Sequence, residues 1–335
     1  MSMTPFSAAT KTHALPVFSH IPVLCPEAVT ALAVKKEGIY LDATFGRGGY
    51  SRQILDRLDE KGRLLAFDRD PAAISAGKAI KDKRFALTHR PFSELRQGAT
   101  EAGYKAEDAF DGIVFDLGIS SHQVDDGSRG FSFRHDGPLD MRMDTTRGET
   151  AGEWLARADL CEITEVLKNY GNERFARRIA KKIVAARAER PLVGTGQLAA
   201  LVRSVIRSHE AGQDPATRTF QGIRIHVNQE LQEIRLALPQ ALNLLKPGGR
   251  LAVVAFHSLE DRLVKNFMRE AANPAANIPR HLPLYARDLP EPRLRVLGRA
   301  IRPSRAEVAA NPRARSATLR VAEKLVAGKT DAGET

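Results

Sequence analysis

Residues 39–58 hold the feature that most restricts what this chain can become. Ile39-Tyr40-Leu41 is a short apolar run of the kind that forms a buried strand. A turn dense in glycine follows, with Gly46, Gly48 and Gly49, and then Ile54, Leu55 and Leu58 fall at helical spacing. Strand, glycine turn and helix together make a nucleotide-type cofactor site. Glycines let backbone N–H groups approach a ligand, and the helix N-terminus adds positive partial charge. The rhythm then recurs. Strands are predicted near 39–43, 62–68, 84–88 and 111–116, and helices over 71–80 and 91–102. Asp70 is a natural N-cap for the first of these helices, and Pro71 suits its first turn. Strand centres separated by roughly 21–28 residues are βαβ spacing, which predicts a parallel, doubly wound sheet with helices on both faces.

Beyond strand four the rhythm stops. The next convincing strand, Arg250 to Phe256, lies about 135 residues further on, several times what one crossover helix needs. Helical patterns fill the gap at 153–158, 159–169, 172–187 and 196–208. An inserted helical unit is therefore expected between about 125 and 218, with a single crossover helix from Gly222 to Leu245. A helix over 259–271 and two short strands near 293–297 and 317–322 complete the reading. The resulting division is a loose tail at 1–19, an α/β unit built from 20–124 and 219–325, a helical insert at 125–218, and a disordered tail at 326–335.

Three carboxyl or aromatic positions say which cofactor suits the glycine turn. A dinucleotide fingerprint places a third glycine where Ser51 stands, which weakens a nicotinamide reading. Asp68 ends strand two, 20 residues after Gly48, where a carboxylate accepts hydrogen bonds from ribose hydroxyls. Asp116 ends strand four beside the same crevice, and Phe92, just after strand three, is placed to pack on a base. No lysine or P-loop serine accompanies the glycines. Acidic walls without a phosphate cradle suit a cofactor that carries positive charge, and S-adenosylmethionine, with its sulfonium and ammonium, is such a cofactor.

Charge points to the other partner. The 51 lysines and arginines against 40 acids leave a formal net charge of +11, which favours a polyanion, nucleic acid before membrane. Residues 280–320 hold ten arginines and three acids, and the 172–187 helix carries Arg174, Arg177, Arg178, Lys181 and Lys182 around a stripe of Phe175, Ile179 and Ile183. Cys25 and Cys161 are too far apart for a metal-ligand motif and form no disulfide framework, which fits a reducing cytoplasm. No metal is expected. The N-terminal residues lack a secretory pattern, and no apolar run reaches the ~18 residues of a membrane span.

Several segments resemble the ribosomal RNA small-subunit methyltransferase H family, also called MraW. They are 20–24 (His20 to Leu24), Asp42 to Tyr50, Ala66 to Pro71, Phe115 to Ser121, Arg129 to Phe133, Gly137 to Asp144, Pro215 to Gln221, Phe256 to Arg262 and Asn311 to Ser316, so the likeness spans nearly the whole chain. The resemblance implies a class I S-adenosylmethionine-dependent methyltransferase fold, a Rossmann-like doubly wound sheet with an inserted all-helical domain. It implies N4-methylation of a cytidine in 16S ribosomal RNA. It also implies cofactor contacts from Gly48, Gly49, Tyr50, Asp68, Phe92, Asp116 and Gln123. Tyr50 stands where the family often has His, and His122 where it often has Pro.

An exocyclic cytosine amine is a poor nucleophile, because its lone pair is shared with the ring. The enzyme must orient it and accept its protons, and Asp116 is the expected acceptor. Phe131 and Phe133 are candidates to stack an unstacked base, or else to pack the insert onto the sheet. His257 and Ser258 end strand five facing the same crevice. A nicotinamide dehydrogenase and a non-catalytic ribosome-binding factor are the competing classes. The first lacks its third glycine, and the second leaves Gly48, Asp68 and Asp116 together without a use.

Overall fold

The computed structural model describes residues 22–206, 214–277 and 289–326. The expected N-terminal tail, residues 327–335 of the expected C-terminal one, and Arg280 and Arg287 lie outside the described residues. From the N-terminal side, α1 (Cys25–Ala31) leads to β1 (Ile39–Asp42), α2 (Gly49–Leu55), β2 (Arg63–Asp68), α3 (Pro71–Gly77), β3 (Phe85–His89), α4 (Leu95–Glu101) and β4 (Phe110–Asp116). β4 is buried from Phe110 to Phe115, as a strand covered on both faces must be. Asp70 caps α3, its Oδ1 accepting the Ala72 N–H at 2.9 Å. After β4 come α5 (Ser121–Asp125), α6 (Ala151–Arg157), α7 (Leu160–Asn169), α8 (Ala176–Glu189) and α9 (Thr195–Val205). The chain ends with α10 (Ala216–Val227), α11 (Glu230–Leu244), β5 (Leu245–Ala255), α12 (Ser258–Ala272), β6 (Leu294–Val296), α13 (Arg305–Ala310) and β7 (Thr318–Lys324).

The strands form one sheet in the order β3-β2-β1-β4-β5-β7-β6. β1 to β5 are parallel, whereas β7 runs antiparallel to β5, and β6 antiparallel to β7. The parallel, doubly wound arrangement expected from the βαβ rhythm is present in β1 to β5, and the two late strands, whose direction that rhythm does not set, add an antiparallel edge. The βαβ rhythm ends before these two strands begin. The architecture is that of a class I methyltransferase, a doubly wound sheet with helices inserted between β4 and β5.

Three large apolar clusters carry most of the packing, and a small fourth joins Phe45, Ala66 and Ala73. α4, α11 and α12 cover one face through Phe67, Phe115, Leu238 and Met268. α1 and α2 cover the other through Leu24, Val29, Tyr40 and Ile54. The third cluster joins α6 to α10 around the fully buried Trp154, whose Nε1–H donates to Glu162 at 2.7 Å.

The single crossover helix is in fact two. The chain breaks at Asn228 and Gln229, and Gln229 has φ of 50°. Asn228 fixes the joint: its amide donates to Met141 O at 2.7 Å, and its Oδ1 accepts the Met143 N–H at 2.7 Å. One apolar stripe runs through both helices, so periodicity alone conceals the break. Phe220 and Ile223 of α10 pack in the helical cluster, while Ile234 and Leu238 of α11 pack under the sheet. Position 218 therefore falls in the first turns of a helix that packs with the insert. α8 begins later than the spacing suggests, and Phe175, expected on its buried stripe, is 36% exposed under the Arg178 guanidinium.

Candidate active site

A cavity of about 620 Å³ opens at the C-terminal ends of β1, β2, β4 and β5, where ligands bind in open α/β sheets. Its far wall comes from the loop after α5, with Arg129, Phe131 and Phe133, and from Phe220 and Arg224 of α10. Arg313 and Ser316, between α13 and β7, close one side. The site therefore lies between the sheet and the helical cluster.

The glycine turn does several jobs. Gly46 (φ +55°) borders the cavity and has open space where a Cβ would be, and its N–H donates to Asp68 Oδ2 at 2.7 Å. Gly48 (φ +76°) faces the other way: a Cβ there would lie 2.8 Å from the Phe45 ring. At Gly49 a Cβ would lie 2.0 Å from Pro22, so that glycine admits close packing beside the cavity. Tyr50 is buried, and its hydroxyl donates to Val23 O at 2.5 Å, which leaves its backbone as the part available to a ligand. Ser51, in the place of a third glycine, donates through Oγ to Asp42 Oδ2 at 2.6 Å.

Asp68 stands at the cavity wall, with Oδ1 accepting the Asp70 N–H at 2.8 Å and Oδ2 the Gly46 N–H. Each oxygen keeps lone-pair capacity toward the cavity. Burial, opposed by those two hydrogen bonds, pushes its carboxyl up to about 6. Asp116 is held by its own N–H, which donates to Thr44 Oγ1 at 2.6 Å, while its Oδ1 is buried and without a hydrogen-bond partner. Burial first, then the charges of Asp42 and Glu260, hold its carboxyl well above the ordinary carboxylate range. Phe92 borders the cavity and meets Phe115 edge-on, with ring centroids 5.8 Å apart. Gln123 also borders it, but its carbonyl accepts the Ser120 N–H at 3.0 Å and its amide donates to Asp70 at 2.8 Å. Of the residues expected at the cofactor, Gly49, Tyr50, Asp68, Phe92, Asp116 and Gln123 line the one cavity, and Gly48 shapes the turn from behind.

Residues 17–325 match the family described as the MraW methylase family. The chain belongs to that family. It is 64% identical over 307 residues to the "Ribosomal RNA small subunit methyltransferase H" of Dechloromonas aromatica, covering 92% of this chain and 98% of that relative. It is 58% identical over 305 residues to the protein of the same name from Azoarcus sp., covering 91% and 96%. Among solved structures it is similar to a putative rRNA-methylase from Clostridium thermocellum at 13% identity, covering 91% and 99% of the two chains, with a TM-score of 0.42.

Two wall arginines had no role assigned from sequence, Arg129 inside a segment that carries the likeness and Arg224 just beyond one. Arg129 donates to Asp70 at 2.9 Å and to the carbonyls of Arg142 and Met143. Arg224 forms a buried two-pronged pair with Glu230 at 2.7 and 2.8 Å. The signal for both was an arginine inside a matched or apolar segment, which composition alone reads as solvent-facing. Phe131 and Phe133 line the cavity and also belong to the helical cluster. Phe133 meets Phe220 edge-on at 4.9 Å and lies under the Arg203 guanidinium.

Asp42, fully buried, is pushed up to about 6 by its burial, and the Ser51 hydroxyl opposes that rise. Removing the hydroxyl strands part of a buried charge, which costs about 1–3 kcal/mol. Ser51→Ala is therefore expected to lower the unfolding free energy by about 2 kcal/mol at pH 7, read from urea denaturation. The loss should shrink at pH 5, because a carboxyl with a raised folded-state pKa is largely protonated there and has less need of the donor.

Proposed function

We propose that this protein is a cytoplasmic enzyme that transfers a methyl group from S-adenosylmethionine to N4 of a cytidine in the 16S ribosomal RNA of the small subunit. The observation that carries the reading is the Asp116 carboxyl, at the end of β4, bordering the same cavity as Asp68 and the Gly46 turn, in a chain of the MraW methylase family. Relatives named for small-subunit ribosomal RNA methylation support the substrate.

The residues fit the cofactor. Asp68 offers its remaining lone pairs to the ribose hydroxyls, Phe92 offers its ring to the adenine, and the backbone at Gly46, Gly49 and Tyr50 lies beside it. The carboxylates of Asp68 and Asp116 answer a cationic molecule, and among the arginines that also line the cavity Arg129 is held by Asp70 and Arg224 by Glu230. Bound S-adenosylmethionine supplies the methyl group, and the acceptor nitrogen must come within about 3–3.5 Å of it, opposite the sulfur. Asp116 accepts a hydrogen bond from the target amine and then the proton that the amine loses. Its raised proton affinity suits that task. Phe131 and Phe133 stack the extruded base.

We assign substrate recognition to the helical unit inserted between β4 and β5. α8 buries Ile179, Ala180 and Ile183 and exposes Arg177, Arg178, Lys181 and Lys182. Arg299, Arg305 and Arg315 are exposed on the C-terminal segment, whereas Arg320 is paired with Asp261 at 2.7 Å and Arg295 with Glu323 at 2.8 Å. Replacing the four α8 cations by Gln should weaken RNA binding and flatten its salt dependence by about 0.7–0.9 in log–log slope for each phosphate no longer neutralised. Unchanged binding across a salt series would remove α8 from the interface.

The function is tested by mass spectrometry of ribosomal RNA nucleosides from a deletion strain. N4-methylcytidine should be absent there and restored by the wild-type gene, but not by Asp68→Ala. Asp116→Asn should lower turnover about 10²–10⁴-fold, the usual worth of a positioned proton acceptor. Wild-type turnover and cofactor affinity in Asp116→Asn would end that assignment.

A further inference from the structure

Several arginines at the cavity are already engaged. Arg90, Arg129 and Arg224 border it, and each holds a carboxylate, of Glu94, Asp70 and Glu230, at 2.6, 2.9 and 2.7 Å. Arg134 also borders it and is different. It is exposed, and its side chain makes no hydrogen bond or ion pair among the described residues. It stands on the loop after α5, next to Phe133 and three residues after Phe131.

A second cation reaches the same place from far along the chain. Arg313, between α13 and β7, borders the cavity and donates to both oxygens of Asp125 on α5, at 2.5 and 3.3 Å. Both side chains of that pair are exposed. The Arg313 hydrogen bond holds the Asp125 carboxyl below the ordinary carboxylate range, and the charges of His122 and Arg134 act on it in the same direction. Asp125 therefore marks the point where the loop after α5 and the C-terminal segment bring their cations together. The neighbouring acid, Asp126, is turned to Ser128, accepting its N–H at 2.9 Å and its hydroxyl at 2.6 Å.

We propose that Arg134 and Arg313 form the seat for a backbone phosphate of the RNA strand that delivers the target base, with Asp125 holding Arg313 until the phosphate takes its place. The inference rests on the methyltransferase reading above. A base enters an enclosed pocket only when its nucleotide swings out of the stack, which brings the flanking phosphates to the mouth. A guanidinium matches a phosphate as it matches a carboxylate, through two parallel hydrogen bonds. An exposed arginine–carboxylate pair is weak, so exchanging Asp125 for a phosphate is easy, and the freed carboxylate returns to water. In the free protein the pair keeps the Arg313 guanidinium at the rim.

Full-length variants test this on small ribosomal subunits from the deletion strain. Arg134→Gln should melt like wild type and bind S-adenosylmethionine with unchanged affinity. Its KM for the subunits should rise about 10-fold with kcat unchanged, the pattern of lost uniform binding. The log–log salt slope of binding should flatten by about 0.7–0.9, the share of one phosphate. Asp125→Asn should act in the opposite direction, lowering KM about 2- to 5-fold, the scale of one exposed ion pair. That gain should vanish in an Arg313→Gln background, because it comes from the freed guanidinium rather than from bulk charge. Wild-type KM and salt slope in Arg134→Gln would overturn the proposal. Weakened S-adenosylmethionine binding in that variant would overturn it in favour of an arginine that holds the cofactor's carboxylate. A higher KM and a lower melting temperature in Asp125→Asn would reduce the Arg313 pair to a staple of the C-terminal segment and overturn the exchange. Methylation by the wild type that is indifferent to all these changes ends this inference alone, whereas a wild type that leaves ribosomal RNA unmethylated ends the functional reading and this inference with it.

Discussion

The burial of carboxylates around one cavity is the constraint on which the rest of this structure depends. Asp42, Asp68, Asp116 and Glu260 come from the ends of β1, β2 and β4 and from the first turn of α12. Burial acts on all four against ionisation. Isolated buried charges are costly, and proteins keep them hydrogen-bonded or protonated. Here the fold meets most of the need from its own backbone: Gly46 and Asp70 amides hold Asp68, Ser51 and Thr44 hold Asp42, and Phe256 and His257 amides hold Glu260. Asp116 borders the cavity, and its buried Oδ1 is left without a donor. A cationic ligand suits Asp68 and Asp116, while of the arginines that also line the cavity Arg129 is held by Asp70 and Arg224 by Glu230.

A second carboxylate joins the two parts of the molecule. Asp70 caps α3 through Oδ1, while Oδ2 receives Gln123 at 2.8 Å and Arg129 at 2.9 Å. Arg69 beside it reaches Asn228 O at 3.0 Å, and Asn228 also holds Met141 and Met143. The residues just past β2 therefore border the cavity and tie it to the loop that carries Phe131 and to the joint between α10 and α11. A change at the seam is felt at the pocket, because both rest on the same few hydrogen bonds.

Much of this was legible in the sequence, for stateable reasons. Buried parallel strands read as apolar runs, and their spacing exposed both the doubly wound sheet and the place where helices are inserted. Carboxylates at strand ends are legible because strand ends in this architecture are where ligands bind. Other features have no local signature. The antiparallel pairing of β6 and β7 is a long-range choice made within an arginine-rich segment. The break at Gln229 lies inside an unbroken apolar stripe, since the two helices bury the same stripe against different partners. Gln123 and Tyr50 border the pocket, but the sequence gives no hint that their side-chain polar atoms already serve Asp70, Ser120 and Val23. Gly48 and Gly46 exchange the roles that spacing suggests, because φ and side-chain direction in a turn depend on what packs behind it, here the Phe45 ring.

Binding of a cationic cofactor beside Asp68 and Asp116 is tested most directly by proton linkage. Raised carboxyls that gain a cation release protons on binding. Calorimetric titration of the free protein with S-adenosylmethionine near pH 6, in buffers of different ionisation enthalpy, is predicted to show net release of about one proton per site. Asp116→Asn should reduce that number. Binding with no proton exchange, or with proton uptake, would contradict the account.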